Sequence, residues 1–280
     1  GYGSEGPYVE RNKGGHESMA QALSGVVELF IGPKNKPQRL PYTVADFTAG
    51  MLLTQGVLLA LMARERTGEG QYLETSLLDG MMSMQAWSTT RLLNAPEEQD
   101  DGSAGATSPH GNPLDGAVFK TADGFLMVTA LFRPFDILMG DLQTALRIEG
   151  LVGDPRFATL DDAKINRDAL YEKMEPVFLT RTSAEWIPEL EARDILVAPV
   201  RSIAEALEDP QLEINDLIVE VEHEKLGKMR HVGPPLRLKG TPTRAHRAAP
   251  LLGEDSRQVL REMGWSKQEV DAMFERGLTE

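Results

Sequence analysis

The sequence predicts an α/β protein made of two units that a polar segment joins. Three observations predict this organisation. Phe47–Ala63 is a continuous apolar stretch of helical character, Asp123-Gly124 is a strong hairpin signal between two strand-like runs, and Pro, Gly, Ser, Asp and Glu dominate Asn94–Pro113 between them. The 280 residues are enough for one large domain or two of ordinary size.

The first unit is organised around the apolar stretch Phe47–Ala63. It is shorter than the roughly 20 residues that cross a bilayer, and its apolar side chains lie nearly all round, so we expect a helix buried in a protein core. After the glycine-rich turn Thr67–Gly70, the alternation in Gln71–Ser76 predicts a strand. Leu77–Leu93, rich in methionine, predicts another helix.

The second unit begins with two strands, Ala117–Lys120 and Phe125–Ala130, that the hairpin turn joins. Amphipathic patterns then predict several helices, a strand and, after the extended segments that start at Val219, two helices separated by Gly264. The predicted ranges are Arg133–Leu146, Asn166–Leu179 and Ser183–Arg193 for helices, Leu196–Val200 for the strand, Ser202–Leu207 for a short helix and Ser256–Arg276 for the last two helices.

Composition excludes several kinds of site. The chain has no cysteine, which excludes disulfides, thiolate zinc sites, iron–sulfur clusters and cysteine nucleophiles. The formal net charge of −14 argues against a general affinity for nucleic acid or for an anionic membrane. The histidines and the Asp100-Asp101 pair have no recognised ligand spacing, so we expect no metal site. The polar segment Tyr2–Glu10 does not resemble a signal peptide, and we expect a cytoplasmic protein.

Asp46 is the first candidate for chemistry, since it lies just before the most apolar helix. Its local pattern favours a helix N-cap, for which Asp is one of the preferred residues. A catalytic role is compatible with this, because a carboxylate at a helix N-terminus stays ionised and a partly desolvated carboxylate can attack an activated carbonyl.

A second candidate is the pair His16-Glu17, which follows Gly14-Gly15. An exposed His beside a Glu is usually an ordinary surface feature. The two glycines make the pair more suggestive, because they allow a ligand to approach the backbone closely.

Seven sequence blocks, in one order and spread over nearly all of the chain, indicate a family. They are GYGSEGPY at the start, GGHESMAQALSG at 14–25, ADFTAG at 45–50, RERTGEGQYLETSLLDG at 64–80, DGFLMVTA at 123–130, LVAPVRSIAEALEDPQL at 196–212 and APLLGEDSRQVLREMG at 249–264. Together they resemble the class III CoA-transferases of the CaiB/BaiF family, which includes formyl-CoA transferase, carnitine CoA-transferase and α-methylacyl-CoA racemase.

The resemblance implies an architecture. Family members have a large Rossmann-like domain built from both ends of the chain and a smaller inserted α+β domain, and two chains interlock as a homodimer. Here it implies large-domain parts at 1–95 and 219–280, a linker or glycine-rich loop at 96–113 and the small domain at 114–218. It also implies a preceding segment that this sequence lacks, so that the large domain is incomplete at its N-terminal side; a partner chain would be one source of that segment.

The resemblance also implies a reaction that moves coenzyme A between carboxylic acids. Asp46 would attack an acyl-CoA thioester, forming an acyl-aspartyl anhydride and then an aspartyl-CoA thioester. Glu17 aligns with an acidic residue near the nucleophile of the transferases, and His16 aligns with the catalytic His of the racemases. Lys13, Gly14 and Gly15 are the best candidates for the CoA side. The partners are then an acyl-CoA and a small carboxylic acid, with no permanently bound cofactor. Asp46 has to be shielded from water, because both intermediates hydrolyse.

Two alternatives stay open. The first is a 2-methylacyl-CoA racemase or epimerase that exchanges the α-proton with His16 and Asp46. Racemases of this family carry a Glu after the strand that resembles Leu126–Ala130, and Phe132 at that place disfavours them. The second is a non-catalytic subunit. Gly102–Gly111 is either the glycine loop that covers a transferase active site or a linker.

Overall fold

A computed structural model describes residues 1–32, 36–94, 112–130, 133–243 and 247–279. Two compact units divide the chain, Gly1–Val200 and Arg201–Glu280, and each is taken by itself. The predicted boundaries at 95, 113 and 218 stay predictions. The linker residues 96–111, the loop Gly102–Gly111 and Phe132 lie outside the described residues.

The N-terminal part of the first unit is mainly helical. Two short strands pair antiparallel, and the long helix α3 contacts α2 and α4. The elements are α1 Pro7–Glu10, α2 Glu17–Leu23, β1 Ile31–Gly32, β2 Lys36–Pro37, α3 Val44–Thr67, α4 Leu77–Met84 and α5 Ala86–Asn94.

Helix α3 is longer and far more exposed than the sequence predicts. It has 24 residues and ends at Gly68, whose φ of 77° is the left-handed conformation that favours glycine at a helix end. Only Ala45 and Thr48 are buried, whereas Phe47 is 67% exposed and Leu59 is 65% exposed. The prediction of a buried helix is therefore wrong for this chain. The reason is geometric: α2 and α4 contact α3 near its start, and its apolar side chains point in every direction.

By length and composition alone, α3 could cross a membrane. The helix has 24 residues and extends beyond the apolar stretch Phe47–Ala63 at both ends, so length alone does not exclude a span. Core helices of soluble proteins meet the same two criteria, and the absence of a membrane partner stays a prediction.

Two further predictions in this part are corrected. Gln71–Ser76 forms no strand, because no strand of the described residues lies beside it to accept and donate backbone hydrogen bonds. The methionine-rich helix is two helices, α4 and α5, that separate at Gln85. Gly80 lets α4 approach α3, since a Cβ at this position would lie 3.2 Å from the backbone nitrogen of Ala49.

Residues 112–130 and 133–200, here called the body, combine a three-stranded antiparallel sheet of order β3-β4-β5 with four helices. The elements are β3 Asp115–Lys120, β4 Phe125–Thr129, α6 Phe135–Leu146, a single 3₁₀ turn Pro155–Phe157, α7 Leu160–Ile165, α8 Arg167–Phe178, α9 Ser183–Glu191 and β5 Leu196–Pro199. The predicted hairpin, the three predicted helices and the predicted strand are confirmed, with ends that shift by a few residues.

The hairpin turn is held from two sides. Thr121 N–H donates to the carbonyl oxygen of Gly124 at 2.9 Å. The Asp123 carboxylate accepts hydrogen bonds from the Thr121 hydroxyl at 2.9 Å and from the Ser183 N–H at 2.8 Å. The turn is therefore tied to the start of α9, and the sheet is fixed against the helices.

The body buries a continuous apolar core. Phe119, Phe178 and Trp186 are at most 1% exposed, and the rings of Phe119 and Phe178 stack with centroids 4.6 Å apart. The ring of Trp186 packs edge-on against Phe178 at 5.4 Å, and its indole N–H donates to the Phe178 carbonyl oxygen at 3.0 Å. Large rings in this arrangement bury much apolar area and satisfy the polar atom.

The described residues of the second unit form a β-hairpin and four short helices. Strands β6 and β7 pair antiparallel over their whole length. The last two helices are separated at Gly264, as predicted. The elements are α10 Ile203–Ala206, α11 Pro210–Ile214, β6 Ile218–His223, β7 Gly227–Val232, α12 Ser256–Glu262 and α13 Lys267–Glu275.

Candidate active site

The start of α2 brings the first candidates into place. His16 has an extended backbone and is the N-cap of α2: its Nδ1 accepts a hydrogen bond from the Ser18 N–H at 3.2 Å. The imidazole is thereby turned towards its own helix. Among the described residues, no hydrogen bond or ion pair joins His16 to Asp46.

Glu17 links α2 to the start of α3. Its side chain accepts hydrogen bonds from two backbone N–H groups of the first turn of α3, from Ala45 to Oε1 at 3.0 Å and from Asp46 to Oε2 at 2.8 Å. Glu17 is only 4% exposed. The first N–H groups of a helix have no partner within the helix, and a negative charge there is stabilised by the helix dipole. Glu17 therefore does for α3 what a capping residue normally does.

Opposing effects act on the Glu17 carboxyl. Burial raises its pKa, but the hydrogen bonds from Gln21, Asp46 and Ala45 together outweigh burial and leave the pKa below its ordinary value. Glu17 is therefore ionised at neutral pH.

Asp46 is not the N-cap of α3, which corrects the local interpretation of the sequence. Thr43 is the N-cap and makes no side-chain capping bond, and Asp46 is the third residue of the helix. The physical reason is that Glu17 already accepts the N–H groups that an Asp cap would accept. The Asp46 carboxylate is exposed, and no hydrogen bond or ion pair to it occurs in the part of the chain that the structure describes. Its backbone N–H is held by Glu17, while its side chain is exposed.

The exposure of Asp46 differs from the expected shielding. The described residues do not cover the carboxylate, and most of the helix that carries it is exposed as well.

Lys13, Gly14 and Gly15 form the approach to α2. The Lys13 ammonium lies 4.8 Å from the ring centroid of Tyr8, and the Tyr2 hydroxyl donates to the Gly14 carbonyl oxygen at 3.0 Å. A Cβ at Gly15 would lie 2.4 Å from the Cα of Gly1, so this glycine permits a close contact between two parts of the chain itself. At Gly14 a Cβ would meet nothing within 4 Å. The predicted role of these residues in binding coenzyme A stays a prediction.

Gln21 belongs to the site, although its sequence context did not single it out. It is fully buried, and its amide contacts Glu17 and the segment that leads into α3. The available signal was its spacing: Gln21 lies four residues after Glu17, which places both side chains on the same face of α2.

No group of three or more His, Asp or Glu side chains among the described residues is arranged to hold a metal ion. Asp100, Asp101 and His110 lie outside the described residues.

Comparison with known proteins identifies the family. The model of CoA-transferase family III matches residues 1–256. The chain belongs to this family. This membership confirms the resemblance that the seven sequence blocks indicate.

Relatives of this family III chain include an acyl-CoA transferase of Fusarium pseudograminearum, 29% identical over 99% of the chain and 59% of that protein. A succinyl-CoA:glutarate CoA-transferase of Mus musculus is 26% identical over 94% of the chain and 58% of that protein. The chain thus spans less than two thirds of the length of these relatives.

A solved structure gives the fold. The crystal structure of a CaiB/BaiF family protein from Brucella suis matches with a TM-score of 0.76 and 24% identity, over 94% of this chain and 66% of that one. The predicted α/β fold class of the CaiB/BaiF proteins is confirmed by this likeness.

Proposed function

We propose that this chain carries the active-site carboxylate of an acyl-CoA:carboxylate CoA-transferase, with Asp46 as the nucleophile. The observation that carries the proposal is the start of α3. There Glu17 holds the backbone N–H of Asp46 at 2.8 Å, and the Asp46 carboxylate is exposed. Membership of CoA-transferase family III and relatives that are themselves CoA-transferases support the same reaction.

In the first half of the reaction, a carboxylate oxygen of Asp46 attacks the thioester carbonyl carbon of the donor. The carbon–sulfur bond breaks, which gives an acyl-aspartyl anhydride and the CoA thiolate. The thiolate then attacks the carbonyl carbon of the aspartyl group, the donor acid leaves as a carboxylate, and Asp46 is left as a CoA thioester. The activated acyl bond is conserved at each step, so the reaction consumes no ATP.

In the second half, the acceptor carboxylate attacks the aspartyl thioester and releases the CoA thiolate. The resulting anhydride joins the acceptor acid to Asp46. The thiolate attacks the acceptor's carbonyl carbon, which gives the new acyl-CoA and restores the Asp46 carboxylate.

Glu17 acts in this reaction through the backbone. Because it is ionised and accepts the N–H groups of Ala45 and Asp46, it fixes the first turn of α3 and the direction in which the Asp46 side chain leaves it. His16 lies one residue before Glu17 and caps α2, so its imidazole lies at the start of the same helix.

Lys13, Gly14 and Gly15 form the CoA side of the proposed site. The Lys13 side chain is exposed and carries a positive charge beside the Tyr8 ring, where it can meet an anionic phosphate of coenzyme A. We also propose the interlocked homodimer and a cytoplasmic location. Protein from a second copy, together with the bound acyl-CoA, would then exclude water from Asp46.

The test traps the covalent intermediate in the complete gene product. Incubation with an acyl-CoA gives an adduct on Asp46 that mass spectrometry locates and hydroxylamine removes. Asp46→Asn abolishes the adduct and lowers the rate of CoA transfer by roughly a thousandfold or more. The matched control is Asp136→Asn, since Asp136 is also an exposed acid in the first turn of a helix, and this variant keeps its activity.

Two results would contradict the proposal. One is normal transfer by Asp46→Asn. The other is deuterium uptake at the α-carbon of the acyl group in the absence of an acceptor acid, which indicates racemisation by proton exchange instead of CoA transfer.

A further inference from the structure

Gln21 is a fully buried amide that makes hydrogen bonds in two directions. Towards its own helix, Nε2 donates to Oε1 of Glu17 at 2.7 Å. Towards the segment before α3, Nε2 donates to the carbonyl oxygen of Tyr42 at 3.1 Å, and Oε1 accepts the N–H of Leu40 at 2.9 Å. A longer contact of 3.4 Å joins Nε2 to the Leu40 carbonyl oxygen.

These bonds connect the acid to the start of the nucleophile's helix. Leu40 and Tyr42 come just before Thr43, the N-cap of α3, and Glu17 accepts the N–H groups of the first turn. Gln21 therefore hydrogen-bonds both to the segment that leads into the first turn of α3, at Leu40 and Tyr42, and to the Glu17 carboxylate that caps this turn. A shift of the Gln21 amide would therefore move both this segment and the Glu17 carboxylate.

We propose that Gln21 is a positioning residue that sets the location of Asp46 for attack on the thioester. This rests on the proposed CoA-transferase reaction. A nucleophile has to lie within a short distance of the carbon it attacks, and a displacement of about 1 Å can lower the rate by roughly a hundredfold. Gln21 acts on Asp46 only through Glu17 and the backbone, so it does not touch the reacting atoms.

An amide suits this position because it donates and accepts at once. The carboxylate of Glu17 and the Tyr42 carbonyl oxygen both need a donor, while the Leu40 N–H needs an acceptor. Gln21→Glu keeps the shape and the acceptor, but its ionised form places a second negative charge beside Glu17. Its protonated form donates an O–H to Glu17 and so restores the lost bond.

Other charged groups lie on the elements that contact α2 or at its start. His16 is the N-cap of α2, Asp46 lies on α3 and Asp79 on α4, and Arg39 donates from Nη1 to the Leu40 carbonyl oxygen at 3.4 Å. These groups are the same in wild type and in each Gln21 variant. The ratio of variant to wild-type activity at each pH therefore isolates the introduced carboxyl.

The test compares steady-state CoA transfer by the complete gene product as wild type, Gln21→Met and Gln21→Glu between pH 5 and pH 8. We expect Gln21→Met to lower kcat by roughly 10- to 100-fold at every pH, with a smaller effect on KM. Burial and the neighbouring Glu17 carboxylate raise the pKa of a carboxyl at this position, so Gln21→Glu loses as much at pH 8 and recovers towards wild type at pH 5, where more of the introduced carboxyl is protonated. A kcat within about twofold of wild type for both variants, or the same ratio for Gln21→Glu at every pH, overturns the proposal.

A matched control separates positioning from ordinary stabilisation. Gln85 also donates from a part-buried amide to two carbonyl oxygens, those of Ser24 at 3.2 Å and Met81 at 3.1 Å, and neither bond involves Glu17 or the segment before α3. Gln85→Met keeps kcat while it lowers the melting temperature. If Gln85→Met loses kcat to the same extent as Gln21→Met, the effect is general destabilisation and the proposal is wrong.

A second readout does not depend on activity. Hydrogen exchange of the Ala45 and Asp46 amides becomes at least about tenfold faster in Gln21→Met and stays unchanged in Gln85→Met. If wild type forms no adduct on Asp46, the proposed CoA-transferase reaction fails, and the exchange of these two amides still decides whether Gln21 positions the start of α3. Unchanged exchange in Gln21→Met overturns the positioning role.

Discussion

The body and helix α3 are both rich in apolar residues, but only the body buries them. Phe178 and Trp186 are at most 1% exposed, whereas Phe47 and Leu59 on α3 are exposed by 67% and 65%. The helices of the body have a polar face and an apolar face, so one chain can complete the packing. Helix α3 is apolar nearly all round, and the described parts of this chain bury only residues near its start.

The two regions are held in place by different interactions. Packing of large side chains fixes the body. The corner where α2 meets the start of α3 is fixed by a few buried hydrogen bonds around Glu17 and Gln21. A change of volume should therefore matter most in the body, and a change of charge should matter most at the corner.

The largest effect is expected from Phe178→Ala in the body. The ring is fully buried between Phe119 and Trp186, so its removal leaves a cavity and costs about 3–5 kcal/mol of the free energy of unfolding. Urea denaturation followed by circular dichroism measures this loss. Leu59→Ala on α3 is the control and changes the free energy by less than about 0.5 kcal/mol. Equal losses in the two variants would mean that α3 is covered in solution.

A smaller effect is expected from Glu17→Gln at the corner. The variant turns an amide N–H₂ or a single carbonyl oxygen towards two backbone donors, and we expect a loss of about 1–3 kcal/mol at pH 7. The pKa of Glu17 in the folded chain lies below its ordinary value of 4.5, so the carboxylate stabilises the fold above that value. The stabilisation is lost as the pH falls through the lowered pKa.

The measurement is the difference in unfolding free energy between wild type and Glu17→Gln from pH 7 to pH 3. Because the other acids of the chain are common to both proteins, their titration cancels in the difference. We expect the difference to decrease on the acid side. A difference that is constant over this range would mean that Glu17 does not stabilise the corner by its charge.

Much of the body could be predicted from the sequence, because its signals are local. Asp123 and Gly124 are themselves residues of the turn that they predict. The helical periodicity of Arg133–Leu146 predicts both the helix and its buried face. The sequence predicts the helical state of α3 equally well. The sequence does not predict how exposed α3 is. An apolar pattern indicates that the side chains need a packing partner, but it does not indicate which part of the protein supplies that partner.

The sequence predicts the candidate site only in part, because the contacts that build it join residues far apart in the chain. The resemblance placed Asp46 and Glu17 in one site, and the structure brings the Glu17 carboxylate to the Asp46 backbone across 29 residues of sequence. The cap that local reasoning assigned to Asp46 is supplied by that distant acid. Gln21 was missed because its partners, Leu40 and Tyr42, are about twenty residues away and offer backbone atoms that no side-chain pattern reveals.

The smallest effect on stability is expected from polar substitutions on the exposed part of α3. Leu58 and Leu59 are 57% and 65% exposed and lie beside Leu61 and Met62, which are also exposed. Leu58→Gln combined with Leu59→Gln should leave the free energy of unfolding within about 1 kcal/mol of wild type, since surface substitutions rarely exceed about 0.5 kcal/mol each. The same pair should clearly lower the fluorescence of the dye ANS, which binds contiguous apolar surface.

The control for this last comparison is Ile165→Gln in the body. Ile165 is 84% exposed, more than either leucine, and it is the last residue of the short helix α7. Single exposed apolar residues are ordinary, so this variant should leave ANS fluorescence unchanged. Equal fluorescence changes in the two proteins would show that exposed area alone sets dye binding. A change confined to the α3 variant would show that the dye binds several adjacent exposed apolar side chains and not a single one.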